Sequence, residues 1–420
     1  MKYFGTDGIR GVVLKDLTPA LLKKIARGIV KFYKVHNLKP VLLTGNDTRI
    51  SSDFILTSIS STLLRYGIEV HNLGRCSSPC LANITKTHNY PLGMMISASH
   101  NPSEFNGIKF FNSLGEKISE QVEAEIETYM DKPLKLSPNF KTIADVSRLK
   151  HSYINFLKSI NKADYPCIFD CACGGTCEIC KTLFPKHKKI NVHADGTNIN
   201  REAGCTHIEF LRSICLKEHM LGFAYDGDGD RLIAVSENGT VVDGDKILYV
   251  LSKFYQRAGD CLVGTIYTNS GLEKSINKNR IELKRAGVGD KLVYQKMKEF
   301  GSFLGGENSG HIIFKHLTNT GDGILTAIVL MNILDLTKLS LDEILVDYSE
   351  YYQATKSLKL NSVFIMSEQL KQLIEKQEKL GARVIIRPSG TEPVLRLFVE
   401  HEDKPTAEKF LKEIENLIKN

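Results

Sequence analysis

No apolar run in the sequence approaches the roughly 20 residues that a membrane-spanning helix needs. The opening stretch, Met1-Lys2-Tyr3-Phe4-Gly5, lacks the apolar core of a signal peptide. A cytoplasmic protein with no membrane contact is the expectation. Nor is there a basic block or an arginine-rich arm: the net charge is +7, but lysines and acids are interspersed along the whole length. That distribution argues against nucleic acid as a partner and suits a small anionic substrate. Heptads, proline-rich tracts and long like-charge runs are also missing, which excludes coiled-coil and low-complexity architectures. Ten cysteines occur, five of them within residues 167–180, yet the paired knuckles of a zinc ribbon are not there. In a reducing compartment these thiols read as small buried side chains, with a zinc or redox role as the alternative.

What the chain does have is length and a repeated pattern. With 420 residues, 42% hydrophobic and 25% charged, it is a globular chain too long for one ordinary core. Three times, a strand candidate, a helical segment, a second strand, a connecting segment and a third strand follow one another. The first strands are residues 40–44, 167–172 and 261–268; the second are 68–72, 190–193 and 281–284; the third are 92–96, 220–225 and 302–304. Strands alternating with helices predict parallel βαβ units with right-handed crossovers. The fold class is therefore α/β, with three similar mixed or parallel-sheet domains at residues 1–146, 147–243 and 244–355. Thr18-Pro19 predicts a capped helix start in the first. Residues 356–420 differ, with a helix at 367–380, strands at 383–386 and 394–400, and an amphipathic helix beginning near Thr406. They predict a smaller α+β domain. Residues 348–357 show no strong periodicity and read as a hinge.

Each third strand runs into a polar loop, and in a shared architecture the three loops occupy equivalent positions and converge on one cleft. The first is Ser97-Ala98-Ser99-His100-Asn101-Pro102, at the carboxyl end of a strand, where open α/β sheets bind ligands. Taken alone, a polar turn explains it as well, and no Gly-x-Ser-x-Gly surrounds Ser99 to suggest a hydrolase elbow. The second is Asp226-Gly227-Asp228-Gly229-Asp230-Arg231. Three carboxylates separated only by glycines can fold inward as hard oxygen donors for Mg²⁺. Calcium is disfavoured, because the glycine that an EF-hand loop requires at its sixth position is Arg231 here. A metal-free acidic turn is the remaining alternative. The third loop, Gly305-Gly306-Glu307-Asn308-Ser309-Gly310-His311, offers an acid, an amide and a hydroxyl suited to sugar hydroxyls, or is a polar turn. Near the carboxyl end, Arg387-Pro388-Ser389-Gly390-Thr391 reads as an anion nest with a bidentate donor, and Arg396 follows in the next strand. A proline-glycine turn competes with that reading. Residues 175–182 imitate a P-loop, but Cys180 stands at the second glycine.

These loops, the glycine-rich opening Phe4-Gly5-Thr6-Asp7-Gly8-Ile9-Arg10-Gly11 and Asn106-Gly107-Ile108-Lys109 resemble, in order and separation, the α-D-phosphohexomutase superfamily over nearly the whole chain. Ala286-Gly287-Val288-Gly289-Asp290 and residues 306–311 place the likeness nearest its amino-sugar branch. The resemblance implies four domains around a central cleft. It implies a magnesium-dependent isomerase that interconverts glucosamine 6-phosphate and glucosamine 1-phosphate through a hexosamine 1,6-bisphosphate, for cell-wall amino-sugar synthesis. A mutase of mannose or glucose phosphates is the alternative within the fold, and a serine-nucleophile phosphatase the alternative outside it. By the same resemblance Ser99 carries the phosphate, and Asp226, Asp228 and Asp230 hold Mg²⁺ together with a phosphoserine oxygen. Arg10, His100 and Lys109 line the transfer site, with Lys109 as proton-transfer residue, its pKa expected to be lowered by neighbouring cations. Glu307, Asn308 and Ser309 would meet the sugar; Arg387, Ser389, Gly390, Thr391 and Arg396 would meet its phosphate. A mobile carboxy-terminal domain and a homodimer are further expectations. Two positions depart from the branch: Lys291, where arginine is usual, and Asn308, where glutamine is.

Overall fold

In a computed structural model, which describes residues 1–5, 7–137, 140–359, 364–388 and 394–419, each repeat is built around a central parallel strand. In the first unit Val41–Asn46 lies between Glu69–Arg75 and Leu92–Ile96. The second places Cys167–Asp170 between Lys188–Ile190 and Leu221–Tyr225. The third places Cys261–Thr265 between Glu282–Ala286 and Leu304–Gly306. After each third strand the chain reverses and adds an antiparallel strand beside it: Phe105–Asn112, Leu232–Val235 and Ile312–Phe314. The three polar loops are these reversals, so all three project from the carboxyl edge of their sheets, where the architecture leaves room for a ligand.

Several expected boundaries shift. The second strand of the second unit is Lys188–Ile190 rather than 190–193. The first strand of the third unit stops at Thr265 rather than 268, because Thr268 folds back and its Oγ1 accepts from Thr265 N at 2.9 Å. The glycine-rich amino-terminal stretch holds a strand, Ile9–Val12, antiparallel to Phe105–Asn112 with Arg10 opposite Gly107. Thr18 does cap the helix Pro19–Val35, its Oγ1 accepting from Leu21 N at 3.3 Å.

The hinge expected at residues 348–357 is corrected. Tyr352–Lys359 is an edge strand that pairs along all eight of its residues with Val394–His401, which pairs in turn with Arg383–Pro388. Its pattern misleads because one face carries Gln353, Thr355 and Ser357, while on the other Ala354 is small and buried and Leu358 packs against the unit's apolar core. The boundary expected between residues 355 and 356 therefore falls inside a strand, and the last sheet takes in the chain from residue 352.

A continuous apolar core runs through the first three units, joining Leu43 and Met95 to Phe169 and Phe223 and on to Ile247, Leu304 and Leu325. The four cysteines Cys167, Cys171, Cys177 and Cys180 pack inside it, and burial pushes the Cys167 thiol well up. Inert small side chains behave this way. The fourth unit has a core of its own, built from Leu370, Leu395, Leu397, Val399, Phe410 and Ile414 under two helices. Among the described residues no single helix is long and apolar enough to cross a membrane.

Candidate active site

Ser99 sits on the first reversal with φ of 52°, a left-handed conformation that residues other than glycine seldom adopt. Strain on the order of 1–2 kcal/mol persists only where neighbours over-determine the backbone, and here they do. Ser99 N–H donates to Ser97 Oγ at 2.9 Å, and the Ser97 hydroxyl donates to Asp47 Oδ2 at 2.6 Å. Asp47 pairs with Arg49 Nε at 2.9 Å, both side chains being fully buried. Arg49 then donates to the carbonyls of Ser99 (2.9 Å), Asn101 (2.8 Å), Phe105 (2.9 Å) and Pro102. From the second unit, Asn200 Nδ2 donates to Ser99 O at 2.8 Å and Asn101 O at 3.1 Å. Arg49→Ala would leave the buried Asp47 carboxylate without its counter-charge and take a donor from each of four carbonyls, and is expected to destabilise the protein by about 3–5 kcal/mol. Thermal denaturation measures it; a melting curve like that of the native protein would mean the loop needs no clamp.

Ser99 Oγ donates to Asp226 Oδ2 at 2.5 Å. Asp226, Asp228 and Asp230 are buried, and one carboxylate oxygen from each lies within 4.8 Å of the others. Gly227 permits the approach: a Cβ there would stand 2.6 Å from Ser99 O. The loop is fastened by Ser78 N to Asp228 O (2.8 Å), Gly175 N to Gly227 O (2.8 Å) and Gly323 N to Gly229 O (3.1 Å). Those three donors come from different units. Asp228 Oδ1 and Asp230 Oδ1 are buried without a hydrogen-bond partner. Buried anionic oxygens in that state, gathered on one loop, fit a hard divalent cation such as Mg²⁺. Burial, reinforced by Asp228 and Asp230, pushes the Asp226 carboxyl well above its ordinary range. Burial also raises Asp230, but Lys109, His311 and Lys117 outweigh it and bring that group down to about 2.

The cations expected around Ser99 are present. Lys109, on the strand Phe105–Asn112, pairs with Asp228 Oδ2 at 2.5 Å and Asp230 Oδ2 at 3.3 Å, with Asp7 at 4.0 Å. The expected lowering of its pKa is overturned. Burial alone would depress it, but Asp228, Asp7 and Asp230 prevail and hold the ammonium well up. Arg10 pairs with Asp7 and reaches Asn101 Oδ1 at 3.3 Å. His100 Nδ1 is 3.4 Å from Ser99 Oγ. Burial, with Arg231 and Arg10 nearby, pushes this imidazole down to about 4, so it is neutral at neutral pH. Behind these groups Lys117 bridges Asp7 and Asp290 at 2.5 Å each, and His311 Nε2 lies 3.4 Å from Asp290 and 3.8 Å from Asp230. Alternating charge thus links all three units.

On the third reversal, Glu307 Oε1 accepts from Gly289 N at 3.2 Å, and burial raises its carboxyl. Ser309 is half-buried on the same loop. Asn308 is more constrained than expected: its Nδ2 donates to Asp243 Oδ2 at 2.9 Å and to Asp245 Oδ2 at 3.1 Å, leaving its amide oxygen as the polar atom available to a ligand. Burial, then Asp243, push Asp245 up to about 7. An acid whose folded pKa lies above its unfolded value near 4 weakens the fold at high pH. That penalty is complete above about pH 7 and gone below pH 4. Asp245→Asn, which keeps an acceptor for Asn269 N and Asn308, is expected to stabilise the protein by roughly 1–3 kcal/mol at pH 8. The gain should vanish as the pH falls to 4, which melting curves across that range would test.

Arg387 and Arg396 face each other across the last sheet. Ser389, Gly390 and Thr391 lie outside the described residues. Lys291, the departure from arginine, is turned to Glu123 Oε1 at 2.5 Å, at the seam between the first and third units.

Residues 1–136 match the phosphoglucomutase/phosphomannomutase alpha/beta/alpha domain I, residues 243–351 domain III, and residues 345–417 the C-terminal domain. The chain belongs to the phosphoglucomutase/phosphomannomutase family. Among its relatives in that family, the phosphoglucosamine mutase of Bacillus subtilis is 37% identical over 441 residues, covering 100% of this chain and 98% of that protein. A phosphoglucomutase/phosphomannomutase family protein from Burkholderia thailandensis superposes with a TM-score of 0.80 at 22% identity, covering 98% of this chain and 96% of its own. The N-acetylphosphoglucosamine mutase of Aspergillus fumigatus, solved with GlcNAc-6P and magnesium, gives a TM-score of 0.67 at 16% identity, over 99% of this chain and 95% of that one. At such identities these structures attest the family fold.

Several members of the site escape a reading of the sequence. Asp47 and Arg49 carried a signal, since charges directly after the buried strand Val41–Asn46 sit at the same carboxyl edge as the loops. Asp7 had none beyond its place among the motif glycines, and Lys117 had none. Asn200, Ser78 and Asp290 come from remote stretches that only the packed units bring together.

Proposed function

We propose that the protein is a phosphoglucosamine mutase, interconverting glucosamine 6-phosphate and glucosamine 1-phosphate through a phosphate carried on Ser99. The observation that carries this reading is the 2.5 Å hydrogen bond from a strained, clamped Ser99 to Asp226, beside two buried carboxylate oxygens with no partner. The names of the relatives at 37% identity supply the sugar. In the forward direction the bond between phosphorus and Ser99 Oγ breaks as one forms to O1 of the sugar 6-phosphate, and the proton of O1 ends on Ser99 Oγ. The 1,6-bisphosphate turns over in the cleft, and its 6-phosphate returns to Ser99.

Phosphoryl transfer asks for positioning and charge neutralisation more than for covalent help. The backbone clamp on Ser99 provides the first. Asp226, Asp228 and Asp230 would hold Mg²⁺, which when bound neutralises phosphoryl oxygens as a Lewis acid. Lys109, paired with Asp228 and Asp230, and Arg10, paired with Asp7, add positive charge beside the loop. Lys109, kept protonated by its carboxylates, acts as a cation and hydrogen-bond donor, while the neutral His100 beside Ser99 Oγ can accept a proton. Glu307, Ser309 and the Asn308 amide oxygen would meet the sugar; Arg387 and Arg396 would meet its phosphate. Comparing kcat/KM on glucosamine, glucose and mannose 6-phosphates tests the substrate. A clear preference for either neutral sugar would move the protein to another branch of its family.

A further inference from the structure

The face of the carboxy-terminal sheet turned away from its own core is a ladder of three rows. Gln353, Glu400 and Arg383 form the first, Thr355, Phe398 and Ile385 the second, and Ser357, Arg396 and Arg387 the third. The first row is electrically closed and docked onto the third unit. Arg383 Nε pairs with Glu400 Oε1 at 2.9 Å, its Nη2 donates to Thr268 O at 2.9 Å, and Gln353 Nε2 donates to Glu400 Oε2 at 2.7 Å. The third row, four residues along the same strand, holds two arginines and no acid.

Arg387 is held differently. Its Nε donates to the phenol oxygen of Tyr267 at 2.8 Å, and its guanidinium carbon is 5.4 Å from the centroid of that ring. Tyr267 belongs to the turn after Cys261–Thr265 and is itself fixed. Its ring packs on Phe398 at 5.2 Å, its N–H donates to Thr265 Oγ1 at 3.1 Å, and its carbonyl accepts from Gln353 Nε2 at 3.1 Å. Tyr267 also lines a cavity of about 410 Å³ that has Asn308 of the sugar loop on one side and Ser357 and Arg396 on the other.

We infer that Tyr267 is the positioning residue of the phosphate anchor: it fixes the plane of Arg387 through Nε, so that the Nη edge meets the phosphate of the sugar. The inference rests on the proposal that Arg387 binds that phosphate. Bidentate recognition of a phosphate needs a guanidinium of fixed orientation. A carboxylate at the place of the phenol would fix Arg387 as firmly, as Glu400 fixes Arg383, but it would cancel the charge and compete with the ligand. A phenol is a neutral acceptor, so it orients the Arg387 guanidinium without cancelling its charge.

The test uses the full-length enzyme, the sugar phosphate it turns over fastest, and three variants: Tyr267→Phe, Arg387→Ala and the two combined. Tyr267→Phe keeps the packing on Phe398 and removes one oxygen. It is expected to raise KM about 3- to 10-fold with kcat within about twofold and an unchanged melting temperature. Arg387→Ala should raise KM further, and adding Tyr267→Phe to it should change nothing more. If Tyr267→Phe leaves KM unchanged while Arg387→Ala raises it, the positioning role is wrong and the anchor stands. An undiminished effect of Tyr267→Phe in the double variant likewise overturns the role, because the phenol would then act on its own. If Arg387→Ala leaves KM unchanged, the anchor itself is misassigned and the inference falls with it.

Discussion

Ser99→Ala is expected to abolish interconversion, lowering kcat by about 10⁴-fold or more, as loss of a covalent nucleophile does. The variant should still fold. Ser99 is 1% exposed and its backbone is fixed by bonds that do not involve Oγ, from Ser97, Arg49 and Asn200. Intact mass provides a second readout, since native protein incubated with a sugar bisphosphate should gain one phosphate mapped to residue 99 and the variant should gain none. Ser97→Ala is the control. Ser97 supports the Ser99 amide and donates to Asp47, so its loss should slow turnover while leaving the phosphate on Ser99. Full turnover by Ser99→Ala would end the phosphoserine mechanism.

The second large effect is at the acidic loop. Asp228→Asn keeps the shape of the side chain but removes one of three charges that would hold the cation. It also takes the closest counter-charge from Lys109. Affinity for Mg²⁺ should fall at least 10-fold and kcat by about 10²–10⁴-fold. Calorimetric titration with Mg²⁺ and rates at saturating metal separate the two losses. Chelation of the native protein should remove activity, and added Mg²⁺ should restore it. Native-like binding by Asp228→Asn would mean that the cation, if any, is held elsewhere.

The fold was legible because its signals are local. Buried strands announce themselves as short apolar runs, and the reversals between third and fourth strands carry glycines and charges in tight clusters, as at residues 226–231. Where signals depended on partners, the reading failed. Tyr352–Lys359 looks like a hinge because most of its polar side chains are exposed along a sheet edge, and the strand that orders it, Val394–His401, lies far along the chain. Lys109 was expected among cations, yet its nearest neighbours in space are three carboxylates, each of them more than a hundred residues away. Arg49 shows the same limit. Its chemistry was visible in the sequence, but the carbonyls it secures become neighbours only when the loop after Leu92–Ile96 packs against it.

The separation of cores has a thermodynamic corollary. The first three units share apolar packing, whereas the fourth meets them chiefly through hydrogen bonds such as those of Arg383 to the carbonyls of Ile266 and Thr268, the Lys274–Glu402 pair and a tilted ring contact of Tyr267 with Phe398. Parting that seam would exchange protein hydrogen bonds for water while uncovering little apolar surface. Heat-capacity changes scale with the apolar surface exposed, so the enthalpy of parting the seam should change little with temperature. Unfolding of the shared core, by contrast, should carry the large heat-capacity increment of the whole protein.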